Sequence, residues 1–378
     1  MAHASFTSED DQLRDKCFLS HFAEILSKVN NDGNKVFIDA LSLMEFTCLK
    51  LHHDEIAGGL YSECHYVGSV GEGISGLDIF SNNSDIDIMF VMKSVHVVER
   101  RPIKTNKKCE QLLKMIDADT TPGYVKLKIL ENEIDENNAM KEDEFLPNSI
   151  VQKTFQAYGN ASNAGLLSRM VELLGDKMTI NWFVNGPSCS TNLETGNRNI
   201  LTNRLVWIES VDCVIGLKCN EWPEIADEWI ERNREYNWPS GDLIEKAVSL
   251  GCYVVPIGGR QSITQDLEWR ISFVLAERLL VRNMKYMQLF VYSLLKSIRK
   301  EIFGEFSIII SSYIIKTVVF WVMEENDAPS WKPEHVLNYV QICFQKLLEF
   351  LEDDFCPNYF MRKCNLFHLK YSDNEKIR

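Results

Sequence analysis

The segment from Ser84 to Met89 alternates polar and apolar residues, and this alternation constrains the fold more than any other feature of the sequence. A period of two is typical of a β-strand with one buried face, so the pattern predicts a strand that continues to Met92. Asp85 and Asp87 then point to the same face of that strand. Because carboxylate oxygens are ligands that Mg²⁺ prefers, the segment predicts a site for a divalent cation on a β-sheet.

A Gly-Ser pair, Gly68 and Ser69, follows a short strand predicted over Glu63–Val67. Backbone N–H groups after such a pair, together with the Ser69 hydroxyl, suit the phosphates of a nucleoside triphosphate. Gly68 has no side chain, so the backbone can approach those phosphates closely. Two-metal transfer of a nucleotidyl group holds its ions roughly 3.5–4 Å apart and needs a further acid from a distant strand. The two motifs together favour this chemistry.

The chain of 378 residues is 45% hydrophobic, which is enough to build more than one compact part. Apolar residues at helical spacing predict one long helical region over residues 11–53. Further strands are predicted at Tyr124–Leu130 and Leu205–Leu217, and a strand followed by a turn is predicted at Gly251–Gly259. Helices are predicted at Trp222–Arg234, Ser272–Ile302, Ser311–Glu325 and Glu334–Glu352. We therefore expect a strand-rich first part and a helical second part.

The composition narrows the class of protein. Forty basic and 54 acidic residues give a net charge of −14, which excludes binding of nucleic acid by bulk charge. Eleven cysteines without CxxC spacing predict reduced thiols in an intracellular core. The N-terminal residues are too polar for a signal peptide, and the longest apolar stretch, Ile308–Met323, is too short and too polar to span a bilayer. We expect a cytoplasmic protein.

Several ordered motifs resemble the cyclic GMP–AMP synthase-like receptors, which belong to the Mab-twenty-one superfamily of nucleotidyltransferases. The matching segments are Val67–Gly73, Ser84–Phe90, Glu268–Phe273, Ser311–Thr317, Phe320–Trp321, Cys356–Phe360 and Asn365–Phe367. The resemblance implies an α+β, bilobal nucleotidyltransferase fold. It has a mixed β-sheet core with a long N-terminal spine helix, at 1–262, and a C-terminal helical lobe, at 263–378.

The resemblance also implies the metal ligands. Asp85, Asp87 and Asp212 would be the catalytic acids and would hold Mg²⁺ or Mn²⁺. Asp212 lies within the strand predicted over Leu205–Leu217. Glu209 and Asp266 remain alternatives to Asp212 for the third position.

The nucleotide-binding residues that the resemblance implies are Gly68, Ser69, Arg270, Ser272, Lys296, Ser312 and Tyr313. In this assignment Lys296 contacts the donor phosphates as a flexible cation. Tyr313 stacks on a nucleobase with Ser312 as a polar neighbour. Arg270 and Ser272 lie near the acceptor nucleotide.

The activating ligand is a separate question. In the family it lies along the N-terminal helix, where Arg14, Lys16, Lys28 and Lys35 are the candidate contacts. The vertebrate enzyme carries a His/Cys zinc ribbon after its WR-x-SF segment, whereas Leu280–Gln288 contains neither histidine nor cysteine. We therefore expect no zinc ribbon. Double-stranded RNA, which proteins recognise by its shape, is then favoured over DNA as the activating ligand. A trigger other than nucleic acid, or none, stays open.

The sequence thus predicts an innate-immune sensor that joins two nucleoside triphosphates, such as ATP and GTP, into a cyclic dinucleotide. One alternative is a catalytically silent Mab-twenty-one-like binding protein. Another is a nucleotidyltransferase that forms oligonucleotides or adds tails. The bases, the phosphodiester linkage and the oligomeric state are not predicted by the sequence.

Overall fold

The computed structural model describes ten stretches of the chain, and these contain a mixed β-sheet and a set of helices. The stretches are residues 61–74, 83–100, 111–130, 145–150, 183–186, 188–198, 205–260, 262–302, 310–326 and 331–367. The α+β class is therefore confirmed. The predicted spine helix at 11–53, and with it Arg14, Lys16, Lys28 and Lys35, lies outside the described residues. The division at residue 262 stays a prediction.

The nine described strands form one sheet. They are β1 (Tyr61–Val67), β2 (Asn83–Val98), β3 (Gln111–Ile116), β4 (Tyr124–Leu130), β5 (Phe183–Asn185), β6 (Ser188–Arg198), β7 (Leu205–Cys219), β8 (Cys252–Val255) and β9 (Glu268–Ser272). Strand β2 pairs antiparallel with β1 and parallel with both β3 and β7. Antiparallel pairs through β4, β9 and β8 connect β3 back to β7, so these strands close into a ring.

The described α-helices begin between β1 and β2 and then follow β7. They are α1 (Gly68–Glu72), α2 (Asp227–Glu231), α3 (Gly241–Ser249), α4 (Val274–Arg282), α5 (Tyr286–Ile302), α6 (Ser312–Glu325) and α7 (Val336–Glu352). Helix α6 is buried on every side from Ile314 to Glu324. A helix that is buried on every side is typical of a core position, and α6 packs against both α5 and α7.

The single long helix predicted from Ser272 to Ile302 is wrong, because the chain forms α4 and α5 with a break between them. Asn283 ends α4, and its N–H donates to the Leu280 carbonyl. The Gln288 side chain then accepts a hydrogen bond of 2.8 Å from the N–H of Lys285. This contact satisfies a backbone donor at the start of α5, as in half of a capping box.

The helix predicted from Trp222 to Arg234 is shorter than expected. A 3₁₀ turn at Glu224–Ala226 leads into α2, which ends at Glu231. Arg232 has an extended backbone with ψ of 126°, and its side chain donates to Glu324 on α6. The helix therefore ends before the last turn that the apolar spacing predicts, and Arg232 makes tertiary contacts instead.

A group of stacked aromatic rings joins the sheet to the C-terminal residues. Phe273, which follows β9, stacks on Phe360 with ring centroids 4.9 Å apart. Trp222 contacts both rings, and Trp229 contacts Phe360 at 4.9 Å. The cysteine side chains described at 213, 219, 252, 343, 356 and 364 are buried, and no disulfide joins any of these six. No helix among the described residues is long and apolar enough to cross a membrane.

Candidate active site

Strand register brings the three predicted aspartates to one face of the sheet. Asp85 and Asp87 lie on β2, and in the parallel pairing with β7 Asp87 is opposite Asp212. Side chains in register on neighbouring strands point to the same face. Asp85 is opposite Ser210, whose hydroxyl donates a hydrogen bond of 3.0 Å to Asp85 Oδ1. The site therefore combines acids from two adjacent strands that are distant in sequence.

The two alternatives to Asp212 lie elsewhere. The pairing between β2 and β7 shifts register between Ser84 and Asp85. Glu209 on β7 therefore has no paired residue on β2. Asp266 is exposed in a 3₁₀ turn at Gln265–Leu267, before β9. The acid opposite Asp87 is thus Asp212, and its role as a metal ligand stays a prediction.

The aspartates repel one another. Burial, followed by the charges of Asp212, Asp85 and Glu72, raises the pKa of Asp87 to about 7, although Lys296 acts in the opposite direction. Burial and Asp85 also raise the pKa of Asp212, against a hydrogen bond from Ser190. This face of the sheet therefore carries more negative charge than its surroundings neutralise.

The donor set fits a magnesium or manganese ion. Among the described residues, no group of three or more His, Cys, Asp or Glu side chains is arranged as a ready-made metal cluster. Asp85, Asp87 and Asp212 nevertheless offer carboxylate oxygens from one face, which hard divalent cations prefer. The raised pKa values of Asp87 and Asp212 are caused first by burial and then by the negative charge of neighbouring carboxylates, which a bound cation would neutralise.

Gly68 packs directly against this acidic face. Its φ is +58°, in the left-handed region, and a Cβ at this position would lie 2.0 Å from Asp87 Oδ2. A side chain at residue 68 would therefore both strain the backbone and displace the carboxylate. A glycine is therefore needed at position 68 for packing on Asp87, in addition to the close approach to phosphates that the sequence predicts.

Long side chains from α4 and α5 contact α1 and the end of β1. Lys296 on α5 donates a hydrogen bond of 2.5 Å to Ser69 Oγ. Arg282 Nε donates to the Gly71 carbonyl at 2.8 Å, and Arg278 donates to the Tyr66 carbonyl at 3.0 Å. The structure thus brings together Ser69 and Lys296, two residues that the resemblance assigns to phosphates.

The predicted acceptor residues lie on β9. Arg270 is in register with Tyr124 on β4 and with Val255 on β8. Ser272 is in register with Tyr253 on β8. Both are half-buried, on the strand that leads directly into α4.

The predicted base-stacking residue lies in the first turn of α6. The Tyr313 hydroxyl donates to Glu277 Oε1 at 2.9 Å and accepts from Asn358 Nδ2 at 2.9 Å. Burial and Glu277 raise the pKa of Tyr313, and Arg270 opposes them, which places Arg270 near this ring. Ser312 is the first residue of the same helix. Tyr313 is thus oriented by two partners on either side of its hydroxyl.

Sequence reasoning missed a buried ionic group between α1, α4 and α6. The Lys316 ammonium donates to Glu72 at 2.7 Å and to Glu277 at 2.6 Å. Glu72 and Lys316 both fall inside the quoted motifs, but no spacing rule connects residues 244 positions apart. The only available signal was the presence of ionisable residues in segments that are otherwise small or apolar.

Two family domains match most of the chain. Residues 84–283 match the Mab-21 protein nucleotidyltransferase domain. Residues 281–377 match the Mab-21 protein HhH/H2TH-like domain. The first match alone spans more than half of the chain and contains Asp85, Asp87 and Asp212.

Curated relatives carry a corresponding name. The chain is 31% identical over 148 residues to a cyclic GMP-AMP synthase-like receptor of Aethina tumida, covering 38% of this chain and 36% of the relative. It is 25% identical over 221 residues to a cyclic GMP-AMP synthase-like receptor of Tribolium castaneum, covering 58% of this chain and 48% of the relative. The aligned parts therefore span between a third and a half of the length of these relatives.

Proposed function

We propose that this chain, which belongs to the Mab-21 nucleotidyltransferase family, joins two nucleoside triphosphates into a cyclic dinucleotide second messenger. One observation carries the proposal, namely the register that sets Asp212 opposite Asp87. The Ser69–Lys296 pair lies near the same carboxylate, since Lys296 acts on the pKa of Asp87. The names of the curated relatives support a role in innate immunity for the product.

In the proposed reaction a ribose hydroxyl of one nucleotide attacks the α-phosphorus of the other, and the bond to pyrophosphate breaks. Asp85, Asp87 and Asp212 would hold the divalent cation, which when bound supplies charge neutralisation at the triphosphate. Ser69 and Lys296 would bind the phosphate tail. The linear product then turns round in the same site, and a second attack closes the ring and releases a second pyrophosphate.

We propose that the nucleobase is recognised on the side of the site that carries Tyr313. Tyr313 is half-buried, and its hydroxyl is engaged by Glu277 and Asn358, so its ring is held in one orientation. A fixed aromatic face suits stacking of a nucleobase. Arg270, which acts on the same tyrosine, would contact the acceptor nucleotide together with Ser272.

Replacing the two strand aspartates tests the catalytic assignment. We expect Asp85→Asn with Asp87→Asn to abolish product formation from labelled ATP, GTP, CTP and UTP, because neutral amides bind a divalent cation far more weakly than carboxylates do. The matched control is Asp353→Asn with Asp354→Asn, an exposed pair at the end of α7, which removes the same charge. A cyclic product that persisted in the first variant would rule out the assignment of these acids.

The form of the product separates the alternatives. A single phosphatase-resistant species supports cyclic-dinucleotide synthesis, and linkage-specific nucleases then identify the phosphodiester bonds. A ladder of products would indicate an oligonucleotide-forming or tailing enzyme. Tight nucleotide binding without any product, in every activating condition, would indicate a catalytically silent binding protein.

The activating ligand is proposed from the sequence alone. Double-stranded RNA is the proposed activator, with contacts at Arg14, Lys16, Lys28 and Lys35, which lie outside the described residues. The same product assay with added double-stranded RNA or DNA decides between them, and RNA stimulation should fall steeply with added salt. A cytoplasmic location is proposed on the same footing.

A further inference from the structure

A buried cation lies between the two halves of the candidate site. Lys316 on α6 donates to Glu72 on α1 and to Glu277 on α4, at 2.7 and 2.6 Å. The side chains of Lys316, Glu72 and Glu277 are only 9%, 4% and 8% exposed. We call these three residues the buried triad. It ties together a turn beside the aspartates, the helix after β9 and the helix that carries Tyr313.

Each carboxylate of the buried triad uses its second oxygen for a tyrosine. Glu72 accepts from the Tyr292 hydroxyl at 3.1 Å, and Glu277 accepts from the Tyr313 hydroxyl at 2.9 Å. The Lys296 ammonium lies 5.6 Å from the centre of the Tyr292 ring. One continuous path of contacts therefore runs through Ser69, Lys296, Tyr292, Glu72, Lys316, Glu277 and Tyr313.

The charges of the buried triad are costly to bury. Burial lowers the pKa of Lys316, but Glu277 and Glu72 more than offset this and raise it above its usual value, so the ammonium is charged at neutral pH. Removing each ion from water is costly, and apolar side chains of similar volume often stabilise a fold as well or better. Stability alone therefore does not account for three buried charged groups at the junction of α1, α4 and α6.

From these contacts we infer that Lys316 is a positioning residue, which through Glu72 and Glu277 holds the phosphate-binding turn and the base-stacking tyrosine in register. It acts without touching a nucleotide. Gly68 abuts Asp87, and Glu72 ends the same short helix, so a shift of α1 displaces both the Ser69 hydroxyl and the carboxylate of Asp87. The inference rests on the proposed function for the identity of the bound nucleotide.

Glu72→Gln tests the inference, because the amide keeps the shape and an acceptor for Lys316 while it removes one charge. The matched control is Glu324→Gln, a second buried carboxylate on α6, which accepts from Arg232, Arg234 and the Tyr359 hydroxyl. Lys316→Met is unsuitable alone, since it leaves two buried carboxylates facing each other. Melting temperature, kcat, KM and binding of a non-hydrolysable ATP analogue with magnesium are measured for each protein.

We expect both variants to lower the melting temperature, and Glu72→Gln alone to lower kcat by about tenfold or more, as a small displacement of reacting groups does. The fall in kcat should exceed the rise in KM, and analogue binding should weaken. The lower limb of the kcat–pH profile should stay in place. If the limb moved to lower pH, Glu72 would act on kcat by direct repulsion of Asp87, and the positioning role would be wrong.

Equal behaviour of Glu72→Gln and Glu324→Gln in kcat and in analogue binding would overturn the inference, because the buried triad would then only stabilise the fold. Wild-type protein that binds the analogue but yields no cyclic product would contradict the proposed function. In that case the difference in analogue binding between the two variants still decides the positioning role. Wild-type protein that binds no analogue would overturn both.

Discussion

Asp87 is the residue at which burial, like charge and a close glycine act together. Its carboxylate is in register with Asp212, lies against the backbone of Gly68 and feels the charges of Asp85 and Glu72. The period-two pattern of the sequence predicts the face on which it lies, because side-chain direction on a strand is a local property. It does not predict the pKa of Asp87, which depends on partners that the fold supplies.

Magnesium should stabilise the protein in a pH-dependent way. Because the pKa of Asp87 is raised from 3.8 to about 7, folding without metal becomes less favourable as pH rises between these values, and the penalty is complete above about 7. A cation competes with that proton. The rise in melting temperature on adding magnesium should therefore be larger at about pH 8 than at about pH 5.5.

Differential scanning fluorimetry with and without magnesium measures this effect. In Asp87→Asn the magnesium increment and its pH dependence should both be lost. In Asp353→Asn, an exposed acid, both should remain. An increment that stayed the same across the pH range in the wild type would show that Asp87 does not hold the ion.

The start of α6 is the element on which the proposed base recognition depends. Ser311 has an extended backbone, and its hydroxyl accepts from the N–H of Ile314, which is a standard N-cap. The sequence predicts this helix from Ser311 to Glu325, and the structure has it from Ser312 with Ser311 as the cap. Tyr313 lies in the first turn, so the cap also fixes the predicted stacking residue.

Ser311→Ala should destabilise the protein by about 1 kcal/mol, the usual cost of losing an N-cap. It should also raise KM for nucleotide, because the first turn that carries Tyr313 frays. The control is Ser249→Ala, where an exposed serine at the end of α3 donates to the Lys246 carbonyl. Urea unfolding and nucleotide titration measure the two effects, and Ser311→Thr should largely restore both. Equal behaviour of the two alanine variants would contradict the role of the cap.

Elements with a strong local pattern could be predicted from the sequence, and breaks between them could not. Strand β7 was expected at Leu205–Leu217 and runs from Leu205 to Cys219, because alternation and β-branched residues act locally. The break between α4 and α5 was missed because Lys285 and Gln288 look like ordinary helical residues. Only the side-chain contact to the Lys285 N–H reveals the new helix start.

At the scale of the whole molecule, long-range pairs decide the arrangement of the site. The aspartates on β2 and Tyr313 on α6, the proposed stacking residue, belong to the two matched family domains. Aromatic stacking of Phe273 on Phe360 and a second buried ionic group join these domains. Such pairs leave no periodic signal, so the sequence predicts the members of the site from motifs but not the contacts that hold them together.

The second buried ionic group centres on Arg232. This one side chain makes one contact inside the protein and another at the surface. Its guanidinium donates to buried Glu324 at 3.2 Å and to exposed Glu228 at 2.7 Å, and it lies 4.4 Å from the centre of the Trp321 ring. The first partner belongs to α6 and the second to α2. The two contacts have similar geometry but very different access to water.

Removing the arginine should cost far more stability than removing its exposed partner. Arg232→Met leaves Glu324 buried with Arg234 as its remaining cation, and loss of one partner of a buried pair costs about 3 kcal/mol or more. Glu228→Gln weakens only contacts at an exposed carboxylate, to Arg232 and to Arg362, for which about 1 kcal/mol is an upper expectation. Urea unfolding, followed by tryptophan fluorescence, measures both. If both variants lost the same free energy of unfolding, Arg232 would contribute only through its surface contact. This ionic group would then not join the two domains.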